Sequence, residues 1–429
     1  MARLRRLDRR WWWVTGAAVV GLVVRLLWVR YAARDPQFLY DPVRYLGYAK
    51  EIKDGRGMTD AFWHHPTAYY PPGYPWFLGI VAIISAPITD HIPTAAAVVQ
   101  AFLGAATVVL GAIVARRIAG WRAAIAAAWG LALYPNLIFH TAALLGETLY
   151  NFLFLAFCVA LLGVRPTASP IGARRALGAG VLLGLAVMVR PISLAVIPIV
   201  VAWWWWTTHD RKVVLRHGGL LVAAVAACIL PWTIRNAIRM DAFIPISTNT
   251  GDNLCIGHGP NASGAFMARH DCDTTRSIQE GPAGEVAADK EKTDAAIEGI
   301  KAAPGRELWL LWRRIYFMWV RDGDHDGALA VQSYRYDRWI PIATEARLFR
   351  VADIAYWFVC ATGIAGLVVL VRRRRPEGWF LVGAAVMTAL VPLAFFGDSR
   401  FKVPVIPLLI IAAACLLGRA RAAVTPEPG

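Results

Sequence analysis

Asp41 lies in the stretch FLYDPVRYLGYAKEIKDGRG, where Arg44, Tyr45 and Tyr48 follow it at helical spacing. Steps of three and four residues put side chains on one helix face, so a carboxylate, a cation and two phenols are presented together. A carboxylate at the edge of an apolar segment can take a proton from a hydroxyl, and low dielectric strengthens its field on neighbouring charge. The same residue also reads as a helix cap, because Asp before Pro is a common helix start. A second acid, Glu147, stands in TAALLGETLYNF near one end of an apolar run. An ionisable group inside such a run is costly and usually functional, although a Glu in a first helical turn also suits the macrodipole.

Cations recur in comparable places. Arg190 follows GLAVMV and precedes Pro191, Arg235 sits in PWTIRN, and Arg400 and Lys402 sit in GDSRFKVP. Arg suits phosphate because its planar fork makes paired, charge-assisted hydrogen bonds. Each of these residues alone also reads as an interface anchor. Together with Asp41 and Glu147 they read as a pocket for an anionic head group attached to a lipid. Arg25, within the first apolar run, either snorkels or pairs internally. His64 and His65 are adjacent, with no third ligand at a zinc-site spacing, so no metal and no cofactor is expected.

The elements that must position these groups are membrane spans. Of 429 residues, 57% are apolar, against about 45–50% in a soluble domain. Several apolar runs approach the ~20 residues that cross a bilayer core. The net charge of +16 comes from short Lys and Arg clusters between those runs. No basic aromatic face for stacking bases accompanies them, so nucleic acid is excluded as a partner. Such clusters mark the cytoplasmic ends of spans. The basic N-terminus MARLRRLDRR precedes a first span ending at Tyr31, and residues 32–92 form a first extracytoplasmic loop. Within that loop Trp76–Pro87 is too short to cross and is expected to lie in the interface. Later spans are expected at 93–115, 121–139 and 142–163, then two short ones within 175–208 turning at Arg190, and one at 213–231. An extracytoplasmic region covers 236–345, and further spans lie within 346–418 before a cytoplasmic tail at 419–429. This gives about ten spans, with Arg116, Arg117, Arg165, Arg174, Arg175 and the run 372–375 all cytoplasmic.

Cys158, Cys228, Cys360 and Cys415 fall in spans, where free Cys behaves as a small apolar residue. Cys255 and Cys272 share the long polar region, and a disulfide between them is expected there. Trp309, Trp312, Arg313, Arg314, Tyr316 and Trp319 form an apolar and basic stretch that reads as an amphipathic interfacial helix.

The ordered set DPVRYLGYAKEIKDGRG with PPGYPWF, then GETLY, GLAVMVRP, PWTIRNAIRMDAFIPISTNTGDNL and GDSRFKVPVIP, resembles the lipid-phosphate-sugar-dependent glycosyltransferases of the GT-C fold. It is most similar to glycosyltransferase family 39, which contains the protein O-mannosyltransferases and the lipid A aminoarabinose transferase. The motifs occur in family order across most of residues 11–418. The resemblance implies an all-α polytopic membrane protein, a GT-C bundle with extracytoplasmic loops and interfacial helices in the plasma (inner) membrane. It implies a polyprenyl-phosphate-linked sugar donor and inverting transfer on the extracytoplasmic face, to a hydroxyl of a glycolipid, polysaccharide or protein. Asp41 is then the general base, supported by Glu147, and Arg190, Arg235 and Arg400 are candidates for the donor phosphate, with Arg44, Tyr45 and Lys402 nearby. Many members carry a second acid directly after the loop aspartate, where this chain has Pro42, and the large soluble C-terminal domain of some members is not expected here.

A transporter or flippase for an anionic lipid-linked glycan would also use Arg and Glu within the membrane. Such a chain is expected to show an internal repeat or paired broken helices, and none is evident in this sequence. A non-catalytic assembly subunit would need Asp41 for folding alone.

Overall fold

The computed structural model describes residues 8–37, 41–163, 172–266, 272, 274, 277–323 and 339–418. The first seven residues, Arg165 and the tail from 419 onward lie outside them. Sixteen α-helices and several 3₁₀ turns make up the described residues, with no strand among them.

Among the described residues, six segments are long and apolar enough to cross a bilayer. They are α1 (Trp11–Ala32), α4 (Ile92–Ala119), a 3₁₀ turn running into α9 (Pro191–Thr208), α10 (Arg211–Arg239), α14 (Ile342–Arg372), and α15 with the turn after it (Pro376–Ala394). The shorter apolar helices α5 (Trp121–Leu133), α7 (Glu147–Leu162), α8 (Ala173–Val189) and α16 (Ile406–Ala414) pack among these. Lipid is as apolar as Leu, so helices in a membrane gain little by merely burying apolar surface and rely on close packing through small residues. The helix pairs are built accordingly. A Cβ on Gly180 would stand 2.6 Å from the Leu221 carbonyl oxygen, joining α8 to α10, and one on Gly366 would stand 2.0 Å from the Ala412 carbonyl oxygen, joining α14 to α16.

Two expected spans are interrupted, and the interruption shapes the site. The 121–139 span stops at Tyr134, which is extended, and resumes as the short helix α6 (Pro135–Phe139). The next helix starts only at Glu147, because residues 140–146 form a buried irregular turn. Buried backbone outside a helix needs hydrogen-bond partners. Gln100 of α4 supplies them, its Nε2 donating to the carbonyls of Thr141 at 2.9 Å and Ala143 at 3.0 Å. The helix expected over 213–231 instead continues through Pro231 to Arg239, which places Arg235 on its last turns.

Arg25 pairs internally. Its guanidinium donates to the carbonyls of Gly21, Leu131 and Ala132 at 2.9–3.0 Å, and Gly104 leaves it room. It thereby ties α1 to the broken end of α5.

The segment after α1 holds α2 (Asp41–Lys53) and α3 (Gly73–Ser85), which pack against each other. The long polar region holds α11 (Thr250–His258), α12 (Pro282–Ala302) and α13 (Pro304–Trp319). α13 segregates its faces: Leu308, Trp309, Trp312 and Tyr316 are exposed, while Leu310, Arg314 and Met318 are buried. That pattern suits a helix lying in a membrane interface. Cys255 and Cys272 form a disulfide with Cα atoms 6.0 Å apart.

Candidate active site

Asp41 is the first residue of α2, whose buried face includes Tyr45, Tyr48, Ala49 and Ile52. Tyr45 and Tyr48 both pack on Tyr70 of the following loop. These aromatic contacts fix the start of the helix, and Asp41 with it, at the edge of a cavity of about 610 Å³. Tyr70 donates its hydroxyl to Asp41 Oδ1 at 2.6 Å. Burial first, and then the charge of Asp41, push the Tyr70 and Tyr45 hydroxyls well above the usual phenol range. Tyr70 therefore remains a proton donor toward Asp41 at neutral pH.

Arg400 reaches Asp41 from the far end of the chain. It sits on a 3₁₀ turn, Ser399–Lys402, whose start is fixed by Asp398 accepting the Arg400 backbone N–H at 2.7 Å. Arg400 Nη1 donates to Asp41 Oδ2 at 2.7 Å, and its Nε donates to Glu147 Oε1. Arg190, in extended backbone between α8 and the following turn, donates to that same Glu147 oxygen. One buried carboxylate oxygen thus holds two guanidinium groups side by side, which would otherwise repel each other.

The four side chains differ in access. Asp41 keeps 31% of its side-chain surface exposed and Arg190 and Arg400 keep 14% each, whereas Glu147 keeps 1%. Asp41, Arg190 and Arg400 line the cavity; Glu147 lies behind the two arginines. Arg44 and Tyr45 also line it. Arg44 sits over the Tyr69 ring at 5.4 Å, with Asp60 at 3.5 Å.

Of the remaining sequence candidates, two lie elsewhere. Lys402 is fully buried, donating to the carbonyls of Met318 and Arg321 and pairing with Asp322 at 3.3 Å. Arg235 donates to the carbonyls of Met58 at 2.6 Å and Thr67 at 2.9 Å, and lines a different cavity. His65 hydrogen-bonds to the Pro66 and Ile278 carbonyls. No group of three possible metal ligands occurs among the described residues.

The opposite wall was not singled out by sequence patterning. Ser247, Asn249 and Asp252 from the long polar region line the cavity, with Phe395, Phe396 and Phe401 beside them. Tyr69 donates to Asp252 at 2.5 Å, and Lys292 of α12 pairs with the same carboxylate. Glu285, buried in α12, accepts from Thr67 and Thr248 hydroxyls and from the Ala68 N–H. Glu285 thereby clamps the Tyr69–Tyr70 loop to the wall opposite. The available signals were ISTNTGDNL, which stands out only as part of the family resemblance, and the tyrosine-rich AYYPPGYPWF; neither carries a spacing that names a partner.

No protein-family model matches the chain, and no curated protein sequence matches it. Solved structures do. Over 94% of its length the chain is similar to the oligosaccharyltransferase of Archaeoglobus fulgidus crystallised with zinc and sulfate, at 17% identity and a TM-score of 0.56, covering 48% of that chain. The same archaeal enzyme in complex with an inhibitory peptide and a dolichol-phosphate is similar over 95% of this chain and 50% of its own, at 15% identity and a TM-score of 0.53. ArnT from Cupriavidus metallidurans bound to undecaprenyl phosphate aligns with 94% of this chain and 77% of its own, at 16% identity and a TM-score of 0.45. The chain spans about half the length of the oligosaccharyltransferase structures that it matches. The interrupted spans and the acid at the head of α2 occur in an all-α polytopic membrane protein with the GT-C fold of membrane glycosyltransferases.

Proposed function

We propose that the protein is an inverting glycosyltransferase that moves a sugar from a polyprenyl-phosphate-linked donor to a hydroxyl acceptor on the extracytoplasmic face of the plasma (inner) membrane. The observation that carries this reading is one side chain, Arg400, bridging a cavity-exposed acid, Asp41, to a buried acid that also holds Arg190. The archaeal structure with a dolichol-phosphate supports it, because that protein shares the fold.

The donor phosphate meets Arg400 and Arg190 at the cavity wall, where guanidinium forks favour it. Arg400 turning toward the phosphate gives up its bond to Asp41 Oδ2, and the acceptor hydroxyl takes its place at that oxygen. The hydroxyl oxygen attacks the anomeric carbon while its proton passes to Asp41. The bond from that carbon to the phosphate oxygen breaks, and polyprenyl phosphate leaves with the electron pair. Phosphate is a good leaving group, so no general acid is required. Positioning and charge stabilisation supply most of the rate. Tyr70 keeps Asp41 aimed into the cavity. The acceptor belongs opposite, where Ser247, Asn249 and Asp252 offer hydrogen bonds to hydroxyl groups.

The Cys255–Cys272 disulfide supports the extracytoplasmic placement, because such bonds persist in oxidising compartments. Two measurements test the reading. Purified protein given a polyprenyl-phosphate sugar and a panel of glycolipid, polysaccharide and peptide acceptors should release polyprenyl phosphate in step with one glycosylated product. Failure with every acceptor, or sugar flipping without transfer in vesicles, would replace it with the transport reading. Single cysteines at Ser247 and Arg374, added to a chain whose only other cysteines are the disulfide pair, test the orientation. The Ser247 site should react with an impermeant maleimide in intact cells and the Arg374 site should not.

A further inference from the structure

Arg235 is absent from the Asp41 cavity because it belongs to another, of about 550 Å³. This second cavity follows α10 from Cys228 past Trp232 and Arg235 to Arg239, a rise of roughly 16 Å. Trp76 of α3, Met188 of α8 and the turn at 55–59 enclose its other sides. Its polarity is graded along that length. Met188, Cys228 and Pro231 make one end apolar, while Arg235 and Arg239 make the other end cationic. Around it, Leu230, Ile234 and Ile238 of α10 are exposed, as on a helix that faces lipid.

The cationic end carries unbalanced charge. Arg235 donates to two carbonyls and the Asn236 side chain, lies over the Trp232 ring at 4.6 Å, and makes no hydrogen bond to a carboxylate among the described residues. The acid whose field reaches it, Glu285, is taken up by Thr67, Ala68 and Thr248. Arg239 is exposed at the mouth of the cavity. The third arginine there, Arg56, is already paired with Glu51 and Asp54.

The wall between the two cavities is thin and closed. Pro72 and Met188 face this one, while Pro71 and Val189 face the Asp41 cavity. A Cβ on Gly73 would stand 2.7 Å from the Met188 carbonyl, so α3 and the end of α8 meet closely in this wall.

We infer that this second cavity binds the phosphate head group of a membrane lipid, separately from the ligand at Asp41. Arg235 and Arg239 take the phosphate, Trp76 and Trp232 sit at head-group depth as interfacial aromatics do, and the chains run along Met188, Cys228 and Pro231. The inference does not rest on glycosyl transfer. The test is binding to full-length purified protein of three probes: a short-chain phosphatidic acid, the diacylglycerol with the same chains, and inorganic phosphate. Phosphatidic acid should bind one to one, at least tenfold tighter than either of the others. Arg239→Gln, at an exposed site that does not hold the fold, should weaken it about tenfold and Arg239→Glu further. Arg400→Gln and Asp41→Asn should leave it unchanged. Equal binding of diacylglycerol or of inorganic phosphate would overturn the site as one for a phospholipid. Undiminished binding in both Arg239 variants would overturn it too, and loss of binding in Arg400→Gln would assign the lipid to the Asp41 cavity instead.

Discussion

Arg400 and Lys402 are two residues apart on one tight turn, yet they serve opposite regions of the molecule. Arg400 points into the Asp41 cavity, keeps 14% of its side chain exposed, and is shared between two carboxylates on two other helices. Lys402 points into the core, has no exposed surface, and is consumed by Asp322, two carbonyls and the face of the Tyr356 ring at 4.6 Å. Both are cations in one short motif, and both need partners because a buried charge without them is costly. What separates them is whether an anion from outside can reach the group. A ligand can exchange for Asp41 on Arg400, whereas nothing can reach Lys402 without unfolding the turn.

That contrast predicts activity losses on one side of the turn and stability losses on the other. The largest effect is expected at Asp41. Asp41→Asn keeps size and most hydrogen bonding while removing the proton acceptor, so single-turnover transfer should fall on the order of 10²–10⁴-fold. Thermal stability should fall less than on loss of Lys402, because Arg400 keeps Glu147 and Asn serves almost as well as Asp at a helix start. Wild-type turnover in this variant would reduce Asp41 to a cap and break the comparison at its active end.

Lys402→Met should do the reverse. Removing one member of a buried pair leaves Asp322 charged and uncompensated, at a cost of about 3–5 kcal/mol. Thermal unfolding in detergent should register that loss, and Lys402→Met combined with Asp322→Asn should recover part of it. The folded fraction should retain its transfer rate per molecule. A variant that folds normally but cannot transfer sugar would return Lys402 to the site.

Arg400→Lys tests what the cavity side requires of its cation. A lysine keeps the charge but not the fork that spans Asp41 and Glu147, and the two are not interchangeable at such a position. Losing one charge-assisted hydrogen bond of about 1.5–3 kcal/mol corresponds to a fall of roughly 10–100-fold in turnover. Donor concentration should restore little of it if the bond forms in the transition state, and most of it if the bond is made equally in the ground state.

Sequence patterning found what is local and missed what is distant. Asp41 was legible because Asp-Pro followed by Arg44 and Tyr45 is a pattern within two helical turns. The spans were legible because apolar length and Arg clusters each leave a periodic trace. The pairing of Asp41 with Arg400 spans 359 residues, and no spacing rule reaches that far. Arg190, Arg235, Arg400 and Lys402 look alike in sequence, because each is a cation at the end of an apolar run. Only packing separates the two that line the Asp41 cavity from the one in the core and the one in the second cavity. The turn at 140–146 leaves no local trace in the sequence for a related reason: Gln100, some forty positions earlier, satisfies the carbonyls of Thr141 and Ala143.

Glu147 gives the smallest predicted effect and the finest test. It has the burial of Lys402 and is itself the partner of Arg190 and Arg400, so it belongs to the site electrostatically without lining the cavity. Glu147→Gln keeps a carbonyl oxygen for the arginines but removes the charge that lets two guanidiniums stand together. Arg190 and Arg400 should then splay, and transfer should fall by roughly tenfold, the lower end of what one charge-assisted hydrogen bond is worth, because Gln keeps an acceptor oxygen for them. A positioning acid of this kind should leave the pH profile of transfer unmoved in shape, because the group taking the proton is still Asp41. Glu147→Asp, which restores charge at a shorter reach, should recover part of the rate. A Glu147→Gln loss exceeding that of Asp41→Asn, together with the disappearance of the acidic limb of the profile, would make Glu147 the proton acceptor. The arginines would then have to swing aside to admit the acceptor to α7, and the cavity-facing carboxylate would become the one that positions.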